Sequence, residues 1–195
     1  MNFILFMLLL FSFSLHPNDI SFGEWSTFNK TKNFQIINAW MHCKLKEEFG
    51  GSECALPDIS FPPFQGKFGV FVTLMKNKKV RGCYGAFSHQ MDDFALVFTE
   101  YLRGALRNDP RYPPLDSSEI NETKIIVTIT QFPEPISDLS SINLSREGIV
   151  FNTEEGIQVV YVPGEIKSVE TLKLIIKKFH YTPDSKFRAI RVTRN

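Results

Sequence analysis

Charge of one sign is what the sequence lacks most: 22 Lys and Arg stand against 21 Asp and Glu, a formal net charge of +1. Phosphate backbones are gripped through a basic excess, so nucleic acid is not the expected partner. Cysteine is scarce as well. Cys43, Cys54 and Cys83 are an odd set without a C-x-x-C spacing, which excludes a disulfide-dense scaffold and a zinc ribbon. His42 beside Cys43 invites a zinc reading, but no second His lies at ligand spacing and no metal site is expected. No apolar run reaches the ~18 residues that span a bilayer, and there is no repeat or low-complexity segment. A rod, an array and a disordered tail are thereby excluded, leaving one globular unit.

Aromatic side chains are abundant, with 19 Phe among 195 residues, enough apolar area for a core that needs no staples. The run Phe3 to Phe11 is unbroken hydrocarbon and matches the h-region of a secretory signal. Residues 1–23 are therefore expected to be a signal peptide, cleaved near Ser12-Phe13-Ser14 or Ser21-Phe22-Gly23, with residues 24–195 as a single exported or envelope-associated domain. In a eukaryotic secretory pathway Asn29, Asn121 and Asn143 would be glycan acceptors. An exported chain can pair Cys43 with Cys54 and leave Cys83 free, though spacing does not decide the pairing.

Downstream, Ile36, Ile37, Trp40, Met41 and Leu45 recur at helical spacing between Asn33 and Phe49, and Gly50-Gly51 ends the helix. Pro57 to Gly66 is proline-disciplined loop. Gly69 to Met75 is nearly all apolar, as in a strand covered on both faces, and after a turn at Asn77-Lys78-Lys79 the chain returns as a second strand to Phe87. A helix is expected from Met91 to Arg107, with Asp92 and Asp93 at its positive end. Strands follow at Ile125–Thr130, at Ile149–Phe151 hairpinned with Ile157–Val162, and at Ile190–Val192; a helix capped by Ser168 lies between. Strands and helices mix without strict alternation, so the expected class is α+β, with a mainly antiparallel sheet and flanking helices.

Chemical potential concentrates in two segments. In Arg81-Gly82-Cys83-Tyr84-Gly85, residues i and i+2 of a strand share a face, so Arg81 can approach the Cys83 sulfur and favour the thiolate. The bland alternative is a small buried Cys beside an Arg paired with a carboxylate. In Asn108-Asp109-Pro110-Arg111-Tyr112-Pro113-Pro114-Leu115, prolines would present Asp109 and Arg111 rigidly to a carboxylate or phosphate. Equally, Asp109 caps a turn while Arg111 makes an internal ion pair that fastens the loop to the body. His89 could serve as a base but reads more simply as a solvated surface residue.

Those two segments, with Gly69-Val70-Phe71-Val72-Thr73-Leu74 before them, resemble the AMMECR domain family over about Asn33 to Val192. Gly148-Ile149 and Val162-Pro163-Gly164-Glu165 resemble the family's later segments. The resemblance implies an α+β fold with a larger and a smaller lobe and a cleft between them. It implies no settled reaction and no established cofactor, and it points to Memo-type and radical-SAM pathway proteins as partners. The family signature is carried by Arg81, Gly82, Cys83 and Gly85, with Tyr84 where an aliphatic residue is usual.

Two functions from different classes follow. In the first, the chain is a binding or scaffold module whose polar cleft, organised by Arg81 and Arg111, receives a partner chain or small anion. In the second it is a thiol-dependent enzyme with Cys83 as nucleophile, Arg81 lowering its pKa, and Asp109 with Arg111 positioning a substrate. A purely structural role also stands, in which Gly82 and Gly85 make room for aromatic neighbours such as Phe71 or Phe98.

Overall fold

The computed structural model describes residues 17–62, 68–91 and 93–192. The apolar run Phe3 to Phe11, the Ser12-Phe13-Ser14 site, Asp92 and the Pro63–Gly66 part of the proline loop lie outside the described residues. The boundary read at residue 23 falls within α1 (Pro17–Phe28), where a buried N-terminal helix is the alternative to a signal peptide. Trp25 of that helix is fully buried and sits 6.1 Å from the Phe98 ring.

The remaining elements are α2 (Asn33–Glu47), β1 (Gly69–Lys76), β2 (Lys79–Ala86), α3 (Phe94–Arg107), β3 (Lys124–Thr130), β4 (Glu134–Pro135), β5 (Glu147–Asn152), β6 (Gln158–Tyr161), α4 (Val169–Phe179) and β7 (Thr182–Arg191). Their strands form one antiparallel sheet in the order β2-β1-β3-β7-β5-β6, with β4 also on β7. The chain is thus α+β. β1 lies between β2 and β3, buried on both faces over most of its length, as its nearly all apolar sequence requires.

Alternation sorts the side chains of β1 and β3 between two cores. Val70, Val72 and Leu74 pair with Ile129, Val127 and Ile125 and face α1, α2 and α3 in the larger lobe. Against them α2 sets Ile37, Trp40, Met41 and Leu45, and α3 sets Val97, Phe98, Leu102 and Leu106, while Ile36 stays 41% exposed on the outer side. Asp93 starts α3 by accepting from the N–H groups of Ala95 and Leu96. Cys43 and Cys54 are joined, tying the end of α2 to the segment after it. A closed loop of that length contributes ~2–3 kcal/mol, mainly by restricting the unfolded chain.

A smaller core forms where α4, capped by Ser168, lays Leu172 against Ile149, Phe151, Ile142 and Ile166. Between the lobes, Phe71 and Cys83 on the other face of β1 and β2 pack with Val162 and Val160, at the far end of the strand order. The sheet therefore curls until its first and last strands meet, with Phe187 stacked on Phe71 inside the curl.

The β7 strand is much longer than its Ile190 and Val192 suggest. Its outward residues Thr182, Asp184 and Arg188 are exposed, and Pro183 falls opposite a register shift in β5. A proline is tolerated there because the ladder is already interrupted.

Helix α3 crosses β2 at Gly82, where an added Cβ would lie 2.1 Å from the Ala105 carbonyl oxygen. Neither backbone can yield without moving its element. We expect Gly82→Ala to cost at least ~2 kcal/mol in a urea melt, as overpacking does; an unchanged midpoint would show that α3 is not seated on β2 in this way.

Candidate functional site

Strand β2 is an edge, so its outward N–H groups have no further strand to pair with. The 108–115 segment supplies a partner for one of them, the Cys83 N–H. It opens with a turn closed by the Tyr112 N–H on the Asp109 carbonyl, and Pro113 and Pro114 carry the chain on from there; Asp109 sits at this turn with only 3% of its side chain exposed. Oδ2 of Asp109 accepts the Cys83 N–H at 2.8 Å, and Oδ1 accepts the Arg111 N–H at 3.0 Å. The Arg111 guanidinium donates to both Asp109 oxygens at 3.0 Å through Nε and Nη2, a bidentate pair. Its remaining arm, Nη1, reaches Oε1 of Glu165 at 3.0 Å. Glu165 follows β6, and its other oxygen accepts the Val162 N–H. Tyr112 and Tyr161 lie about 5.5 and 5.4 Å from the guanidinium carbon.

Charge balance follows from this geometry. Burial disfavours the charge on Arg111, but the Asp109 hydrogen bonds and the Glu165 charge outweigh it and hold the guanidinium firmly protonated. Burial pushes the Glu165 carboxyl upward, and Arg111 and the Val162 N–H oppose it.

Arg81 joins the same two segments differently. Its Nη1 and Nη2 donate to the Pro113 and Pro114 carbonyls, while Nε and Nη2 clasp Glu119 at 3.1 and 2.9 Å. The guanidinium in turn holds the Glu119 carboxyl at about 2. Arg81 thus fastens the loop, and the expected contact with the Cys83 sulfur is absent from its bonds. The thiol is 8% exposed and 3.2 Å from Oγ1 of Thr73. Burial, with the Glu165 charge next, pushes its pKa up to about 12, the opposite of the lowering expected from a neighbouring arginine. Asp109, Cys83, Arg111 and Arg81 are all brought together, as an internal lock. Gly82 and Gly85 belong to the packing around it: the first takes the α3 backbone, the second the Val70 carbonyl and the Phe71 ring.

Glu165, Glu119 and Thr73 complete the lock, and no role was read for them from sequence. A buried Arg111 demands counter-charges, but nothing local says that one of them comes from 54 residues further on.

Beyond the 162–165 turn, Thr128, Ser145, Pro163, Gly164, Ala189 and Arg191 enclose a cavity of about 440 Å³ between the lobes. Thr128 is in register with Phe71, so the cavity lies on the inner face of the curl. Among the described residues no group of three His, Cys, Asp or Glu is placed to hold a metal, and the Cys43 sulfur beside His42 is spent in the disulfide.

A family model for AMMECR1 matches residues 38–194. The chain belongs to the AMMECR1 family. It is 33% identical over 97 residues to a protein of Thermotoga maritima, covering 48% of this chain and 56% of that protein. A Methanocella arvoryzae protein is 30% identical over 128 residues, covering 60% and 64%, so the matches span somewhat over half the length of these relatives. The crystal structure of an uncharacterised Pyrococcus horikoshii protein shares the fold at a TM-score of 0.57, with 21% identity, over 85% of this chain and 89% of that one.

In this member of the AMMECR1 family Tyr84 lies over Gly104 of α3, where a Cβ would come within 2.2 Å of the ring. The phenol thus packs on α3, on the face away from the thiol. His89 is not a solvated residue: Nε2 lies 2.9 Å from the Phe68 carbonyl and Nδ1 2.8 Å from the Tyr101 hydroxyl. A carbonyl only accepts, so Nε2 carries the proton and Nδ1 accepts from Tyr101. Burial lowers the His89 pKa, so the folded state favours the neutral ring. The unfolded chain then takes up the proton first as pH falls below ~6.5, and stability is lost over that window. Urea melts of wild type and His89→Gln from pH 7.5 to 5 should show the wild type falling more steeply; parallel pH profiles would contradict the neutral, doubly bonded ring.

Proposed function

We propose that this AMMECR1-family chain is a binding module whose ligand enters the inner face of the curled sheet, and that the Arg-Gly-Cys segment is the lock that shapes that face. One contrast carries the reading: the groups picked out by their chemistry are used up internally, while the cavity beside them is open. A nucleophilic cysteine needs its thiolate and an approach path. Cys83 is buried, hydrogen-bonded to Thr73 and raised to about 12. Arg81 and Arg111, which a substrate would need, are committed to Glu119, Asp109, Glu165 and two proline carbonyls.

Memo-type and radical-SAM pathway proteins are the first partners to try under this reading. We place the module in an exported, oxidising setting, a location supported by the Phe3–Phe11 run and by the joined Cys43 and Cys54.

Timed alkylation with iodoacetamide separates this function from the thiol enzyme. In the folded, unreduced protein at pH 8 Cys83 should stay unmodified for hours, and in guanidinium chloride one thiol per chain should label. Rapid native labelling at Cys83, with an apparent pKa below the ~8.5 of a free thiol, would replace the binding module by the nucleophile.

A further inference from the structure

The two arginines that reach the 162–165 turn are in opposite electrostatic situations. Arg111 approaches from the β2 side and meets two buried carboxylates. Arg191 approaches from β7, on the cavity side, and its Nη2 donates to the Pro163 carbonyl at 3.1 Å. No carboxylate lies within ion-pair distance of Arg191 among the described residues.

The turn is shaped to admit this guanidinium. Gly164 has φ +78°, and a Cβ there would stand 2.8 Å from Arg191 Nη2, so a side chain would both strain the turn and displace the arginine. Lys167 adds a second cation at the rim by donating to the Gly164 carbonyl, and it too has no carboxylate partner among the described residues. The six residues around the cavity thus include one cation and no anion. Thr128, almost fully buried, contributes a hydroxyl to the wall. Pro163 and Ala189 contribute apolar wall, and the Ser145 hydroxyl already donates to Asn143.

We propose that this cavity binds a small organic acid, with Arg191 receiving its carboxylate and Thr128 donating to the same group; this rests on the binding-module reading and names its ligand class. With one amino group of the guanidinium held by Pro163, its other N–H groups remain for an acceptor. A planar carboxylate matches that fork, and within a partly enclosed site each such bond is charge-assisted. A cavity of about 440 Å³ suits a metabolite-sized body and not a folded domain. Because the ion pairs of Arg111 are internal, filling the cavity leaves the lock intact.

The test is a ¹H–¹⁵N NMR titration of the full domain with glutarate, its uncharged diamide and inorganic phosphate. Glutarate should produce saturable shifts at the Ser145, Gly164 and Ala189 amides. Arg191→Gln should weaken it about tenfold or more, the factor carried by one charge-assisted bond. Arg191→Lys should recover part of that loss, and Thr128→Val, which leaves the turn untouched, should weaken binding severalfold. A dispersed spectrum close to wild type certifies the fold of each variant. Diamide and glutarate binding alike, indifferent to Arg191→Gln, would overturn the acid assignment while leaving a working cavity. Phosphate binding tighter than glutarate would overturn the carboxylate in particular. Silence at these amides with all three probes would overturn the site and, with it, the inner face as the place of binding.

Discussion

The two ends of the sheet are held together by one guanidinium. Arg111 stands between Asp109, which holds the β2 edge through the Cys83 N–H, and Glu165, which holds the chain leaving β6 through the Val162 N–H. Among the described residues no strand pairing closes the curl at this point. A barrel would use backbone ladders there; this chain uses a buried ion triad whose spare oxygens are filled by backbone donors. Such a cluster is a costly way to gain stability, because charges lose their water, but removing one member is far worse than having built none. Its value lies in geometry: it fixes how far the smaller lobe stands from the larger one.

Several properties of the site follow from that spacing. Cys83 is enclosed because Val162 and Phe71 close over it once the ends are joined, and enclosure is what makes its thiol a poor acid. The 108–115 loop is pinned at both ends, by Asp109 to the strand edge and by Arg81 to Pro113 and Pro114, so its prolines stiffen a strap. The 162–165 turn is held at Glu165 on one side, which leaves its other side free to line a cavity with Arg191. Rigid lock and open cavity share four residues of chain.

Much of the fold was legible in the sequence because its signals are local. The apolar alternation of β1 and β3, the 3.6-residue stripes of α2 and α3 and the Ser168 cap each depend on near neighbours, whereas the joining of Cys43 to Cys54 was left open by their spacing. β7 was underestimated because its middle, Pro183 to Lys186, is polar and takes its place from ladders with β5 and β4. α1 stood only as the alternative because its residues adjoin a run that reads as a signal. For the site, the two segments were found and their residues do converge, yet their roles were split. The internal ion pair for Arg111 and the turn made by Asp109 were read correctly as alternatives. The face-sharing of Arg81 and Cys83 was sound geometry, but it does not fix where a long side chain ends, and Glu119 with two proline carbonyls outcompeted the sulfur. Arg191 carried no signal at all, since an arginine is conspicuous only when its missing counter-charge can be seen.

Native-state hydrogen exchange at the Cys83 amide reports most directly on the clip. With Asp109 and Arg111 in place, this edge N–H should exchange about as slowly as that of Val72 in the middle of β1. In Arg111→Met it should become as fast as an unpaired edge amide, while Leu102 and Val127 of the larger lobe keep their protection. Fast exchange at Cys83 in the wild type, or protection that survives Arg111→Met, would mean that the ends of the sheet are held by something other than this guanidinium.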